Sequence, residues 1–123
     1  MNLMRDSFLH MLRSLRYSLE GLSRCFRDEI AFRQECLLAI PHFTGVLLLP
    51  LTWEVKLYLT AVWIVLAAVE LLNTAVEAVV NLASPQRHDL AKKAKDVASA
   101  AVFLMLVLFA VSWAVVLCNM CFR

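Results

Sequence analysis

Residues 97–118 run for 22 positions without a charge, enough to cross the roughly 30 Å hydrocarbon core of a bilayer as a helix rising about 1.5 Å per residue. The rest of the chain agrees with that setting. Its 123 residues are 62% hydrophobic and 18% charged, with only two glycines and three prolines. A single small domain of that composition cannot cover its apolar surface in water, whereas lipid can. A second apolar run, 55–83, is longer than a bilayer needs, so its Glu77 end is expected to emerge at the surface. A third, 36–51, holds Pro41, His42 and Pro50 and reaches spanning length only by borrowing a turn from 30–32. A re-entrant or interfacial segment is the alternative for that third run. The expected fold is an all-α membrane protein of one domain over 1–123. It has an amphipathic surface helix at about 4–28 and spans at about 30–51, 55–80 and 96–118.

Charge supplies the orientation. Arg5, Arg13, Arg16, Arg24, Arg27 and Arg33 precede the first span, and Arg87, Lys92, Lys93 and Lys95 lie between the second and third. Only Lys56 and Arg123 fall on the other side. Ten basic residues against two fit a three-span membrane protein with its N-terminus in the cytoplasm. No secretory leader is expected, because Arg5 and Asp6 lead straight into an amphipathic pattern.

In that first helix Phe8, Leu12, Leu15, Leu19, Leu22 and Phe26 recur at helical steps, and arginines fill the other faces. Such a helix lies in the headgroup region, packs on the bundle or dimerises. The hinge that follows carries Asp28, Glu29 and Glu35, which cost little only at the water boundary. Trp53 and Tyr58 read as interfacial anchors, and so do Lys92 and Lys93 on the opposite side. Cys118 and Cys121 have C-x-x-C spacing, but with no second pair and no histidine nearby they read as incidental.

Within the second apolar run, Glu70, Asn73 and Glu77 stand at i, i+3 and i+7, so a helix lines them on one face. A carboxylate near the bilayer centre costs roughly 2.5–3.5 kcal/mol and is kept only with a partner, water or a cation. Carboxylates flanking an amide suit divalent-cation binding and proton abstraction. Across a short connection, Lys95 and Asp96 would reach the depth of Glu77, beside the small residues Ala94, Ala98, Ala100 and Ala101. Anionic oxygens, a lysine and an amide at a basic interface fit Mg²⁺ with phosphates, and Glu70 could take a proton from a lipid hydroxyl. Gly21 and Gly45 are the only glycines, so no P-loop exists. No basic–aromatic interleaving points to nucleic acid. A proton or cation path through Glu70 and Glu77 is the non-enzymatic alternative.

The block from Glu70 through Asn73 to Glu77, followed by Ala94, Lys95, Asp96 and Ser99, resembles the prokaryotic diacylglycerol kinase family. So does the N-terminal pattern of Tyr17, Ser18, Gly21, Leu22, Glu29 and Ala31, Phe32, Arg33, Gln34, Glu35, and the likeness covers about 13–118. The resemblance implies a homotrimeric helical bundle that transfers the γ-phosphate of MgATP to a lipid hydroxyl, in sites shared between subunits. Carried over by position, Glu70 would be the general base and Asn73 its polar support. Glu29 and Glu77 would hold the metal and contact ATP, together with Tyr17, Gln86, Arg87, His88, Lys95 and Asp96. Ser14, Tyr17, Ser18, Ala31, Phe32, Arg33, Gln34, Glu35, Glu70 and Ser99 would border the lipid.

The chain departs from the family pattern at His10, Asn81 and Gln86, which touches the nucleotide contacts. Diacylglycerol is the expected substrate from the lipid-bordering residues Ala31 to Glu35. Ser84, Pro85 and the stretch around Lys92 and Lys93 lean towards the undecaprenol-kinase branch of the same family.

Overall fold

Helix breaks fall where the backbone chemistry demands them. In the computed structural model, which describes residues 2–122 with side chains from residue 5, four helices follow one another: α1 (Asn2–Asp28), α2 (Ile30–Leu48), α3 (Trp53–Ala83) and α4 (Asp89–Cys121). No strand occurs among the described residues. Arg123, counted in the charge argument, lies outside them.

One residue separates α1 from α2. Glu29 is extended (φ −109°, ψ 120°), yet its N–H still donates to the Cys25 carbonyl at 2.9 Å and its own carbonyl accepts from Arg33 at 3.2 Å. The chain therefore breaks its helix at a carboxylate whose own backbone N–H and carbonyl both stay hydrogen-bonded. α2 borrows the turn from Ile30 as expected, but it stops at Leu48, short of residue 51. Pro50 disfavours the helical conformation at the residue before it, and Leu49 is already extended (φ −75°, ψ 145°). Pro41 sits inside α2 without ending it, a tolerance usual where neighbouring helices support the backbone.

At 31 residues, α3 is about 46 Å long, half as long again as the hydrocarbon core. It ends at Ser84, just before Pro85. α4 begins at Asp89, well ahead of the span expected from residue 96, because His88 caps it: the His88 Nδ1 accepts from the Leu90 N–H at 3.2 Å.

α3 is the spine, packing most extensively on α4 and also on α2, while α1 meets α2. Its buried stripe is Leu59, Val62, Leu66 and Glu70, three apolar residues ending in a carboxylate. Phe32, Glu35, His42 and Val46 face inward from α2. Leu72, Val79, Leu82, Val97, Phe103 and Leu104 stay exposed, which suits surfaces turned to lipid or to another copy. α3 and α4 are long and apolar enough to cross a membrane. α2, interrupted by Arg33, Glu35 and His42, has no comparably long apolar stretch. The apolar residues Phe8 to Phe26 of α1 are exposed, as an interfacial helix requires.

Candidate active site

The site is assembled where α1 ends, α2 begins and α3 passes the bundle centre. Glu70 is 4% exposed and lies within charge–charge range of Glu29 and Glu77. Glu35, 7% exposed, is in turn within range of Glu70. Glu29, Glu35, Glu70 and Glu77 form no ion pair among the described residues. The Asn73 Oδ1 and the Glu35 Oε2 are buried without a hydrogen-bond partner. Buried oxygens left open in this way cost about 1–3 kcal/mol each unless a ligand satisfies them.

A groove of about 630 Å³ opens beside these groups, between α1 and α3, lined by Ser18, Cys25, Asp28, Glu29, Thr74 and Ala78 among others. Cys25 and Thr74 form its middle, the thiol donating to the Thr74 Oγ1 at 3.9 Å. The position of this pair could be read in part from sequence. Cys25 stands one helical turn before Glu29, and Thr74 lies between Glu70 and Glu77. That the two face each other is a tertiary fact. Burial pushes the Cys25 thiol above its ordinary range, so it is not an activated nucleophile.

A second groove, of about 510 Å³, lies between the end of α3 and the start of α4, lined by Asn81, Gln86, Arg87, His88, Lys92 and Lys95 among others. The Lys95 Nζ donates to the Asn81 Oδ1 at 2.6 Å, one turn beyond Glu77. The lysine therefore meets α3 as expected, but at Asn81. Lys92, read from sequence as an anchor, pairs with Asp96. Asp96 is thus held on its own helix. Gln86, Arg87, His88 and Lys95 share one basic recess, with His88 also serving as a cap.

The remaining residues are spread out. Tyr17 is exposed and lines neither groove. The Ser18 hydroxyl donates to the Ser14 carbonyl at 3.0 Å. Ala31, Arg33, Gln34 and Ser99 are exposed, whereas Phe32 and Glu35 turn inward. The structure thus divides the five residues from Ala31 to Glu35 between an exposed and an inward face.

Among the described residues no three His, Cys, Asp or Glu side chains converge closely enough to cage a metal by themselves. The donor set fits Mg²⁺ nonetheless. This ion takes one or two carboxylates and completes its shell with phosphate oxygens and water, and Glu29 and Glu77 are carboxylates with no cation of their own.

Comparison with known proteins agrees with this chemistry. Residues 16–117 match the family described as prokaryotic diacylglycerol kinase. The chain is 41% identical over 111 residues to the diacylglycerol kinase of Haemophilus influenzae, covering 85% of this chain and 88% of that protein. It is 41% identical over 107 residues to that of Pseudomonas aeruginosa, covering 87% of each. With the diacylglycerol kinase of Escherichia coli K12 it shares 32% over 121 residues, covering 89% of this chain and 90% of that one. A match across most of the chain, together with the open carboxylates of α3, establishes that this protein belongs to the prokaryotic diacylglycerol kinase family.

Proposed function

We propose that the chain transfers the γ-phosphate of ATP to the free hydroxyl of diacylglycerol, giving phosphatidic acid and ADP. The observation that carries this reading is Glu70: a carboxyl 4% exposed, without an ion-pair partner, in range of Glu29 and Glu77. A carboxyl on the long, apolar α3 supports the reading because it is a suitable proton acceptor for an alcohol held in the membrane.

Glu70 takes the proton from the lipid hydroxyl as the oxygen attacks the γ-phosphorus and the bond to the β-phosphate oxygen breaks. Asn73, with its Oδ1 open, orients the hydroxyl or the base. Glu29 and Glu77 would hold Mg²⁺, which when bound neutralises charge on the phosphate oxygens. Lys95, Arg87, His88 and Gln86 contact the nucleotide in the recess between α3 and α4. Asp96 orients Lys92 there, and Tyr17, exposed on α1 outside the recess, would meet the nucleotide from that side. The lipid enters along the α1–α3 groove past Ser18 and borders Ser14, the inward residues of the 31–35 segment and Ser99.

Three spans, with α2 as the first, a cytoplasmic N-terminus in the inner membrane and a homotrimer complete the reading. Basic residues at the Arg87 to Lys95 end support the orientation, and the exposed apolar faces of α3 and α4 support association.

Transfer of labelled γ-phosphate from MgATP to diacylglycerol and to undecaprenol, side by side in mixed micelles, tests the function. Diacylglycerol is expected to be the labelled acceptor. Labelling of undecaprenol alone would move the chain to the other branch, and labelling of neither by an intact oligomer would overturn the kinase reading.

A further inference from the structure

α2 raises a question that its apolar residues do not answer. Leu37, Leu38, Ile40, Leu47 and Leu48 are exposed while Phe32 and Val46 are buried. In lipid, exchanging one apolar side chain for another across a helix costs little, because tails are as apolar as leucine. The hydrophobic pattern therefore does not fix how α2 is rotated about its axis. Specific hydrogen bonds and close packing must do so.

One such contact is present. Trp113 of α4 reaches across to α2, where its Nε1–H donates to the His42 Nδ1 at 3.1 Å. His42 is 3% exposed. Its ring lies 5.2 Å from Phe109, 5.6 Å from Trp113 and 6.4 Å from a nearly parallel Trp63. The Trp113 ring also lies on Gly45, where a Cβ would stand 2.7 Å from it. Glycine thus admits the ring against the α2 backbone, and the nitrogen then finds its acceptor. Among the described residues this is the one side-chain hydrogen bond between α2 and α4. The Lys56 Nζ also donates to the Leu47 carbonyl at 3.3 Å, but a flexible lysine on a backbone oxygen at the helix end can follow a rotation.

His42 lies seven residues after Glu35, two helical turns along the same face. Any rotation that carries His42 out of the bundle carries Glu35 away from Glu70.

We propose that His42, held by Trp113 over Gly45, is a positioning residue that sets the rotation of α2 and so keeps Glu35 turned towards the base Glu70. Its effect on turnover rests on the kinase reading; its effect on helix rotation does not. The lock acts through Glu35, at the lipid side of the site, and leaves the nucleotide recess between α3 and α4 untouched.

Cys36, half-buried and next to Glu35, reports the rotation independently of activity. In a Cys118→Ser, Cys121→Ser background the remaining thiols are the half-buried Cys36 and the buried Cys25, which fall in different peptides. Alkylation by N-ethylmaleimide in micelles, followed by peptide mass spectrometry, reads Cys36 alone. His42→Leu is expected to change the Cys36 rate several-fold and to raise KM for diacylglycerol about tenfold, the weight of roughly one buried hydrogen bond. KM for MgATP stays where it was. His42→Asn, whose amide oxygen can take the Trp113 hydrogen, restores both values. Trp113→Phe keeps the ring, removes the donor and repeats the leucine result, which also serves if His42→Leu aggregates. Wild-type alkylation in both His42→Leu and Trp113→Phe overturns the lock. Equal loss in the Asn and Leu variants overturns it too, since bulk would then matter and the bond would not. A changed Cys36 rate with an unchanged lipid KM overturns the link to the site. A changed rate in a chain that phosphorylates neither lipid upholds the lock and overturns the kinase reading instead.

Discussion

The two halves of α3 treat polar groups in opposite ways. Towards its Trp53 end, Leu59 is fully buried, the Tyr58 and Ser112 hydroxyls bond at 2.9 Å, and Ser112 also donates to the Leu108 carbonyl at 2.7 Å. The Thr60 hydroxyl donates to the Lys56 carbonyl at 2.8 Å. These groups are satisfied within the chain. Towards the Ala83 end, Glu70 has no ion pair, Asn73 has an open Oδ1, and Thr74 meets only a distant thiol. One half is closed, and its polar residues hold helices together. The other is open, and its polar residues await ligands. Unsatisfied buried polar atoms are costly, so the open Asn73 Oδ1 on α3 and the open Glu35 Oε2 on α2, both near Glu70, mark the site more sharply than acidity alone. A third open atom, the His42 Nε2, lies two turns further along α2.

Substitutions in the open half should change chemistry, and the largest effect is expected at Glu70. Glu70→Gln should lower phosphoryl transfer about 10²- to 10⁴-fold, the usual weight of a general base, while MgATP still binds. Normal turnover in an intact oligomer would sink the base assignment. Next, Glu77→Gln and Glu29→Gln should weaken Mg²⁺-dependent binding of a fluorescent nucleotide by at least about tenfold, as loss of a metal contact does. Titrating Mg²⁺ at fixed nucleotide reads this directly, and an unchanged midpoint argues against the ligand role.

Substitutions in and around the closed half should change stability first. Beside that half, on α2, Gly45→Ala puts a Cβ 2.7 Å from the Trp113 ring. This overpacking is expected to cost about 1–3 kcal/mol in thermal or denaturant unfolding in micelles and, by pushing Trp113 off His42, to raise KM for diacylglycerol as well. Tyr58→Phe removes one side of a satisfied pair and should cost about 1 kcal/mol with kcat unchanged below the transition. A loss of activity without a loss of stability would show that this half is not closed. The smallest effect is expected outside both halves, at Arg16→Ala. It breaks an exposed pair with Glu20 and should leave the melting temperature within error.

Much of this was legible in the residues. The helices, the hinge at Glu29, the breaks before Pro50 and Pro85, and the common face of Glu70, Asn73 and Glu77 all follow from local patterns. Lys92 was legible in two ways: as an inner-boundary anchor and, four residues before Asp96, as half of a helical ion pair, the one the structure shows. Glu35 was legible as a residue near the lipid, but not as a buried neighbour of Glu70. Cys25 gave only its spacing to Glu29.

The sequence by itself determined that the chain is helical and too apolar for water, where each helix breaks, and which α3 residues share a face, because backbone chemistry and helical spacing are local. Only the tertiary structure decided which faces turn inward. It set Thr74 against Cys25, Asn81 against Lys95 and His42 against Trp113. The reason is the solvent. In water an apolar stripe announces the buried side of a helix, whereas in lipid apolar residues are content on either side, and a few polar contacts between helices choose the orientation.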